Sequence, residues 1–169
     1  MILGDHVMKW TVVVLCVSLA LCGVASAADD AWPLAVRIMS YGKYQDAAWQ
    51  HLQKIGVHYI FLPVPAPNEL DAVTKKLAEH KLTALVVRGN TDLAKDSCVE
   101  ELAGQLAVCE KMGVKYMFLS AKLNGADKAV VLERLRKAGD AAKQHGVLIT
   151  LETHPELGTN GDVQVETMK

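Results

Sequence analysis

Four segments of this chain are variations on one pattern. KIGVHYIFLPV begins at Lys54, EHKLTALVVRG at Glu79, KMGVKYMFLSA at Lys111 and QHGVLITLETH at Gln144. Each reads as the end of a helix, a glycine or lysine in the C-cap region, and a short apolar run that forms a buried strand. Gly56, Lys81, Gly113 and Gly146 are separated by 25, 32 and 33 residues, the size of a strand plus a helix with short connections. A chain that repeats this unit builds an alternating β/α fold on a parallel sheet.

The spacing predicts strands over Pro33–Met39, Val57–Val64, Leu82–Val87, Lys115–Leu119 and Val147–Leu151. Helices fill the intervals. The first, Gln45 to Ile55, carries Ala48, Leu52 and Ile55 on one face. The second is capped by Asn68 and repeats Leu70, Val73 and Leu77 at helical spacing. Ser97-Cys98-Val99-Glu100 reads as a capping box, opening a helix whose Leu102, Leu106 and Cys109 face the sheet. The fourth runs from about Asp127 to His145, with Val131, Leu135, Ala138 and Ala142 inward. A fifth starts near Asp162, after the turn Thr159-Asn160-Gly161. Nothing in the composition splits the region from residue 28 onward, so it is one domain or part of one.

Ahead of this region lies Lys9, an apolar run from Trp10 to Val24, and Ala25-Ser26-Ala27. Charged n-region, h-region and small-residue cleavage site together read as a secretory signal peptide over residues 1–27. Met8 is a plausible start, and the mature chain is expected to begin at Ala28 and be exported. A membrane anchor is the other reading, but the run falls short of the roughly 20 residues a span needs. A lipoprotein site at Cys22 is disfavoured by bulky Leu21. Cleavage removes Cys16 and Cys22 and leaves Cys98 and Cys109. These two lie eleven residues apart in one predicted helix, about 16 Å of rise, whereas a disulfide needs Cα atoms within about 7 Å. Both are read as buried thiols. The formal charge is −1 and no basic stripe appears, so a nucleic-acid partner has little electrostatic support and none is expected.

The fifth strand breaks the apolar rule. Glu152 and His154 follow Val147–Leu151, and alternation along a strand puts Thr150, Glu152 and His154 on one face, with Ile149 and Leu151 on the other. Polar side chains at the C-terminal ends of parallel strands are where α/β folds carry chemistry. Glu152 suits a hard divalent cation or general-base work, or merely ends the strand in solvent. His154 would ligate, orient Glu152 or touch substrate, or lie on plain surface. Arg88 and Lys122, beyond the third and fourth strands, are candidate substrate contacts for an anionic or polyhydroxy ligand, or ordinary surface cations. Six residues after the repeat's glycine or lysine come Leu62, Val87, Leu119 and Glu152, apolar in three strands and a carboxylate in the fourth. His51, His80 and His145 read as solvated, and Tyr59, Phe61, Tyr116 and Phe118 as core. No GxGxxG, Walker A, HExxH, GxSxG or CxxC motif occurs.

With the repeat and the stretch LETHPELGTNGDVQVETMK, the chain resembles the xylose isomerase-like barrel superfamily, and more narrowly its exported sugar phosphate isomerase/epimerase proteins. The resemblance runs from about the first strand to the end of the sequence. It implies an α/β fold, a parallel (β/α) barrel of the xylose isomerase-like type, truncated after about five βα units. It implies a divalent metal ion (Mn, Mg, Co or Zn) with Glu152 as one ligand, the remaining ligands coming from later strands and the site incomplete in this chain. His154 matches a position near metal and substrate. A glutamate that many relatives carry at the end of the second strand is absent here, where Phe61 and Leu62 stand.

A complete barrel of this kind takes about 250 residues, against 142 for residues 28–169. Five strands leave two open edges, through which self-association is available, and leave Leu62, Val87 and Leu119 without inner-face partners. The leading expectation is a sugar or sugar phosphate isomerase/epimerase domain, metal-dependent when complete, with a small-molecule sugar or sugar phosphate as partner, no membrane anchor after cleavage, and little activity in this chain alone. A non-catalytic exported carbohydrate-binding α/β domain is the second reading. Endonuclease-like phosphodiester cleavage, known in a branch of the superfamily, is the third; the additional histidines and basic groove it needs are not seen.

Overall fold

The computed structural model describes residues 32–168. The leader expected over residues 1–27 and the start at Ala28 lie outside the described residues. From Ala35 onward, strands and helices alternate: β1 (Ala35–Arg37), a 3₁₀ segment (Ile38–Tyr44), α1 (Gln45–Lys54), β2 (Tyr59–Pro63), α2 (Leu70–Glu79), β3 (Thr83–Arg88), α3 (Cys98–Met112), β4 (Tyr116–Leu119), α4 (Lys128–Gln144), β5 (Leu148–Leu151) and α5 (Gly161–Met168). The five strands form one sheet in the order β1-β2-β3-β4-β5, every pair parallel. Among the described residues no helix is long and apolar enough to cross a membrane.

The repeat has a single conformational cause. Gly56, Lys81, Gly113 and Gly146 all have positive φ, from 54° at Lys81 to 74° at Gly56. Each reverses the chain out of a helix, and the next residue packs beneath the following strand, buried at Leu82, Val114 and Val147 and partly buried at Val57. Val114 N donates to the Cys109 carbonyl at 2.9 Å, and Leu82 and Val147 make the same bond to Leu77 and Ala142. Three of the four positions are glycine because a side chain in the left-handed region is strained.

The N-terminal caps differ from expectation in three places. Ser97 sits in the helical region and makes no cap bond; its hydroxyl instead donates to the Glu101 carboxylate at 2.7 Å, so the predicted capping box is not formed. The second helix starts beyond Asn68, with Glu69 at its cap. The last helix is capped by Asn160, whose Oδ1 accepts from Val163 N at 3.0 Å, rather than by Asp162. Asp127 caps α4, accepting from Ala129 N and Val130 N. The first strand is also shorter than predicted, because the chain turns into the 3₁₀ segment at Ile38 and kinks at Gly42.

The core lies between the helices and one face of the sheet. Leu52, Ile60, Leu102, Leu106, Met117 and Leu119 are all fully buried there, each stabilising the fold by about 1.5–3 kcal/mol relative to exposure. Cys98 and Cys109 are buried and free within α3, as the helical spacing required. Leu62 and Val87 are register partners, as are Val87 and Met117, and Leu119 and Leu151. Leu62, Val87 and Leu119 are therefore covered by helices, and the expectation that they face inward without partners is corrected. Neighbouring strands are staggered, and an extra residue, Leu85, enters β3 where the register shifts beside Ile60 and Phe61. Equal distance from the repeat glycine thus does not mean equal height or the same face.

The other face carries the row Phe61, Val86, Tyr116 and Leu148, and above it Arg88, Phe118 and Thr150. Tyr59, Phe61 and Phe118 are half-buried and Tyr116 is exposed, so these aromatics line the inner face rather than the helix-covered core. Phe61 and Phe118 meet edge to face at 5.5 Å, a favoured aromatic geometry. At the β5 edge, an apolar cleft of about 740 Å³ runs between the strand and α4, past Tyr116, Leu132, Leu135, Leu148 and Ile149.

Candidate functional site

The polar residues of three strand ends converge at the C-terminal end of the sheet. Glu152 follows the last residue of β5, and its amide donates to the Leu119 carbonyl at 2.9 Å, continuing the ladder by one step. That bond puts Glu152 on the inner face, with Thr150 below it. Ser120 holds the corresponding place beyond β4, and its hydroxyl donates to Oε2 of Glu152. Arg88 ends β3 on the same face, in register with Phe118.

Beside this pair opens a polar cavity of about 430 Å³, within the range of small-molecule sites. Arg88, Ser120 and Lys122 line it together with Asn90, Asp92 and Lys95. Glu152 adjoins its wall through Ser120. The structure thus brings three of the residues singled out in the sequence, Arg88, Lys122 and Glu152, into one neighbourhood. His154 is not among the lining residues. It lies beyond the end of β5, just before the turn, and is half-buried. Its carbonyl accepts from Gly158 N at 2.9 Å, and a Cβ on Gly158 would come within 3.0 Å of the His154 amide nitrogen, so the turn closes tightly on a glycine.

The loops around the cavity are laced together. Gln105 of α3 grips Asn90 twice, accepting from its amide and donating to its carbonyl, both at 2.8 Å. Gly89 N donates to the Phe118 carbonyl at 2.9 Å, and a Cβ there would stand 2.9 Å from Met117 Sδ, so a larger residue would force the Met117 side chain to move. Asn124 Nδ2 donates to Asp92 Oδ1 at 2.8 Å, tying the β4 loop to the β3 loop. Leu123 N donates to Glu156 Oε2 at 2.7 Å, tying it to the β5 loop. Asn124 and Glu156 both have positive φ, 48° and 78°, and each non-glycine residue held there costs about 1–2 kcal/mol that the surrounding contacts must offset.

The carboxylates in this wall are fixed in their ionised form. Asp92 is held below the usual carboxylate range by the Asn124 side chain and then the Ala94 backbone amide. Glu101 is held below it by Ser97 and then Thr91, whose hydroxyls each donate at 2.7 Å. Ser120, Lys95, Asn90, Asn124 and Gln105 were not among the residues assigned from sequence. Ser120 alone left a signal there, as the polar residue one place beyond the end of an apolar strand.

Among the described residues no three His, Cys, Asp or Glu side chains come together as a metal-binding group. A divalent cation needs several oxygen or nitrogen ligands, and Glu152 offers one carboxylate with one oxygen already accepting from Ser120. The described residues do not by themselves fit that cation. His51, His80 and His145, read as solvated, have protein neighbours: Tyr41 Oη at 2.7 Å, the Trp49 ring at 5.9 Å and Glu110 Oε2 at 2.7 Å, respectively.

Alternating β/α units on an all-parallel sheet, with polar side chains gathered at the C-terminal ends of the strands, define part of a TIM-type barrel. Solved structures narrow this to the xylose isomerase-like fold. A xylose isomerase domain protein from Planctomyces limnophilus is similar with a TM-score of 0.60 and 16% identity, over 81% of this chain and 58% of its own. A sugar phosphate isomerase/epimerase from Parabacteroides distasonis has a TM-score of 0.59 and 15% identity, over 83% and 62%. A D-allulose 3-epimerase from Methylomonas sp., in complex with D-allulose, has a TM-score of 0.60 and 16% identity, over 79% and 57%. This chain therefore spans about three-fifths of the length of the structures it matches. No family model matches it, and no curated protein does.

Proposed function

We propose that this chain is part of a sugar or sugar phosphate isomerase/epimerase in which Glu152 acts on the substrate and Arg88 and Lys122 hold it. The observation that carries this reading is the Ser120–Glu152 pair beside two cations at the C-terminal end of a parallel sheet. With Oε2 taken by the Ser120 hydroxyl, Oε1 is the oxygen free to accept a proton from a C–H bond next to a carbonyl. The electron pair moves to the carbonyl oxygen, and the enediolate formed is stabilised by the cations of Arg88 and Lys122. Delivery of the proton to the neighbouring carbon, with the hydroxyl proton passing to the original carbonyl oxygen, gives the isomer; delivery to the opposite face of the original carbon, from a donor other than Glu152, gives the epimer. His154 serves in a supporting role, orienting substrate near the turn that follows it. The likeness to a D-allulose 3-epimerase supports a polyhydroxy ketone as the substrate class.

Solvent deuterium exchange tests this. The longest natural polypeptide carrying this sequence should exchange the proton adjacent to the carbonyl of a ketose such as D-allulose, and Glu152→Gln should abolish that exchange. Exchange that survives Glu152→Gln would overturn the assignment. A non-catalytic carbohydrate-binding domain is the second reading, favoured by Glu152 being the one carboxylate carried at a strand end among the described residues; it predicts ketose binding without exchange. Tight Mn²⁺ binding is not expected of residues 28–169 alone, and calorimetric titration measures it. Export is also part of the proposal, supported by the apolar run Trp10–Val24 and by Ala25-Ser26-Ala27. Recovered protein should begin at Ala28 on N-terminal sequencing; an intact Met1 or Met8 would overturn this.

A further inference from the structure

The polar cavity holds more cationic charge than the isomerase reading uses. Arg88, Lys95 and Lys122 all line it. Among the described residues, none of the three has a carboxylate within ion-pair distance, although such pairs form elsewhere, as at Lys128 and Glu166. The two carboxylates of the wall are committed to neutral donors: Asp92 to Asn124 and the Ala94 amide, Glu101 to Thr91 and Ser97. Their hydrogen bonds thus go to neutral donors, while the charge of Lys95 also acts on both, and they retain lone pairs that can accept from hydroxyl groups. The floor is rigid, since Gln105 clamps Asn90 on both backbone groups and Arg134 donates to the Leu93 carbonyl at 2.8 Å. Of the lining residues only Leu93 is apolar, so an uncharged apolar ligand has nothing to bury against.

We propose that this cavity is an oxyanion seat in which Lys95, from the β3–α3 loop, joins Arg88 and Lys122 in holding the negatively charged group of a polyhydroxy ligand, a phosphate ester or a carboxylate. Arg88 supplies a planar fork and the lysines two point charges, a set that meets an oxyanion from several directions. Asp92 and Glu101 accept from the ligand's hydroxyls. The polyhydroxy part of this ligand rests on the isomerase reading; the oxyanion seat does not.

Inorganic phosphate and acetate, titrated separately into the full chain, test the seat without any turnover. Backbone amide resonances of Asn90, Lys95 and Asn124 should shift saturably with phosphate, with acetate or with both; response to phosphate alone identifies a phosphate ester, and to acetate alone a carboxylate. Lys95→Gln should weaken the binding about tenfold, the loss expected for one hydrogen bond to a charged group. Lys95→Arg should keep most of it. Lys111→Gln, at the far end of α3, should leave it unchanged. Lys95 is exposed, so its variants should keep the wild-type spectrum outside the cavity; Lys122→Gln provides a second, independent variant. Absence of saturable shifts with either anion, or unchanged affinity in both Lys95→Gln and Lys122→Gln, would overturn the seat. Neutral ketose exchange would then still stand or fall on Glu152, so the two proposals fail separately.

Discussion

Ser120 and Glu152, the first residues beyond β4 and β5, are joined by a hydrogen bond from the serine hydroxyl to Oε2 of the glutamate. The bond leaves the carboxylate with one committed and one uncommitted oxygen. In the longest natural polypeptide carrying this sequence, Ser120→Ala should lower ketose exchange by about tenfold, the effect of one charge-assisted bond on the alignment of the base. Glu152→Gln should abolish it, and His154→Asn should reduce it less severely. Melting temperatures within a few degrees of wild type would separate loss of chemistry from loss of fold.

Lys81 occupies a position that is glycine in the other three repeats, at φ 54°. Lys81→Gly should raise stability by about 0.5–1 kcal/mol, because relief of left-handed strain exceeds the added freedom of the unfolded chain. Gly113→Ala, at φ 70°, should lower it by about 1–2 kcal/mol. Urea midpoints measure both; the same sign for the two substitutions would contradict the conformational explanation of the repeat.

The thiols of α3 should be inert in the folded protein. Burial pushes Cys109 up to about 11 and raises Cys98 as well, so neither is a thiolate near neutrality. A chromogenic disulfide reagent at pH 8 should label neither in native protein and both after unfolding. Since the folded thiols titrate above their unfolded values, their contribution to stability is complete below about pH 9 and is lost as pH rises toward about 11. Denaturation midpoints at pH 8 and pH 10.5 should show that fall, and Cys109→Ala should diminish it.

Gln105 is a positioning residue for the β3 loop. Gln105→Ala removes both bonds to Asn90 and should cost about 1–3 kcal/mol, the range for two modest hydrogen bonds at a half-buried side chain. It should also speed amide exchange at Asn90 specifically. Unchanged exchange there would show that the loop is held by other contacts.

What could be read from the sequence was what one residue or one period decides. The left-handed helix stops announce themselves as Gly56, Gly113 and Gly146, because that conformation selects glycine. The buried faces of α3 and α4 follow from helical spacing. Glu152 was visible as a carboxylate where an apolar strand should continue. The caps were not, because shifting one residue into the helical region redirects its side chain, as at Ser97. The facing of Leu62, Val87 and Leu119 depended on the stagger between strands and on the extra residue Leu85, which no single strand records. Lys95, Asn124 and Gln105 are neighbours only because the β3 loop, the β4 loop and α3 meet over the same strand ends.

The strand order has a consequence for how the molecule is made. Among the described residues, each strand after β1 pairs with the one synthesised just before it. As the polypeptide leaves the ribosome, every new β/α unit meets a docking edge already in place, so assembly can follow the direction of translation. The β1–β2 pair can zip as soon as Pro63 emerges, and of the described strands β5 is laid down last. Glu152, one residue beyond it, is therefore added only after the sheet that carries Arg88 and Lys122 has formed.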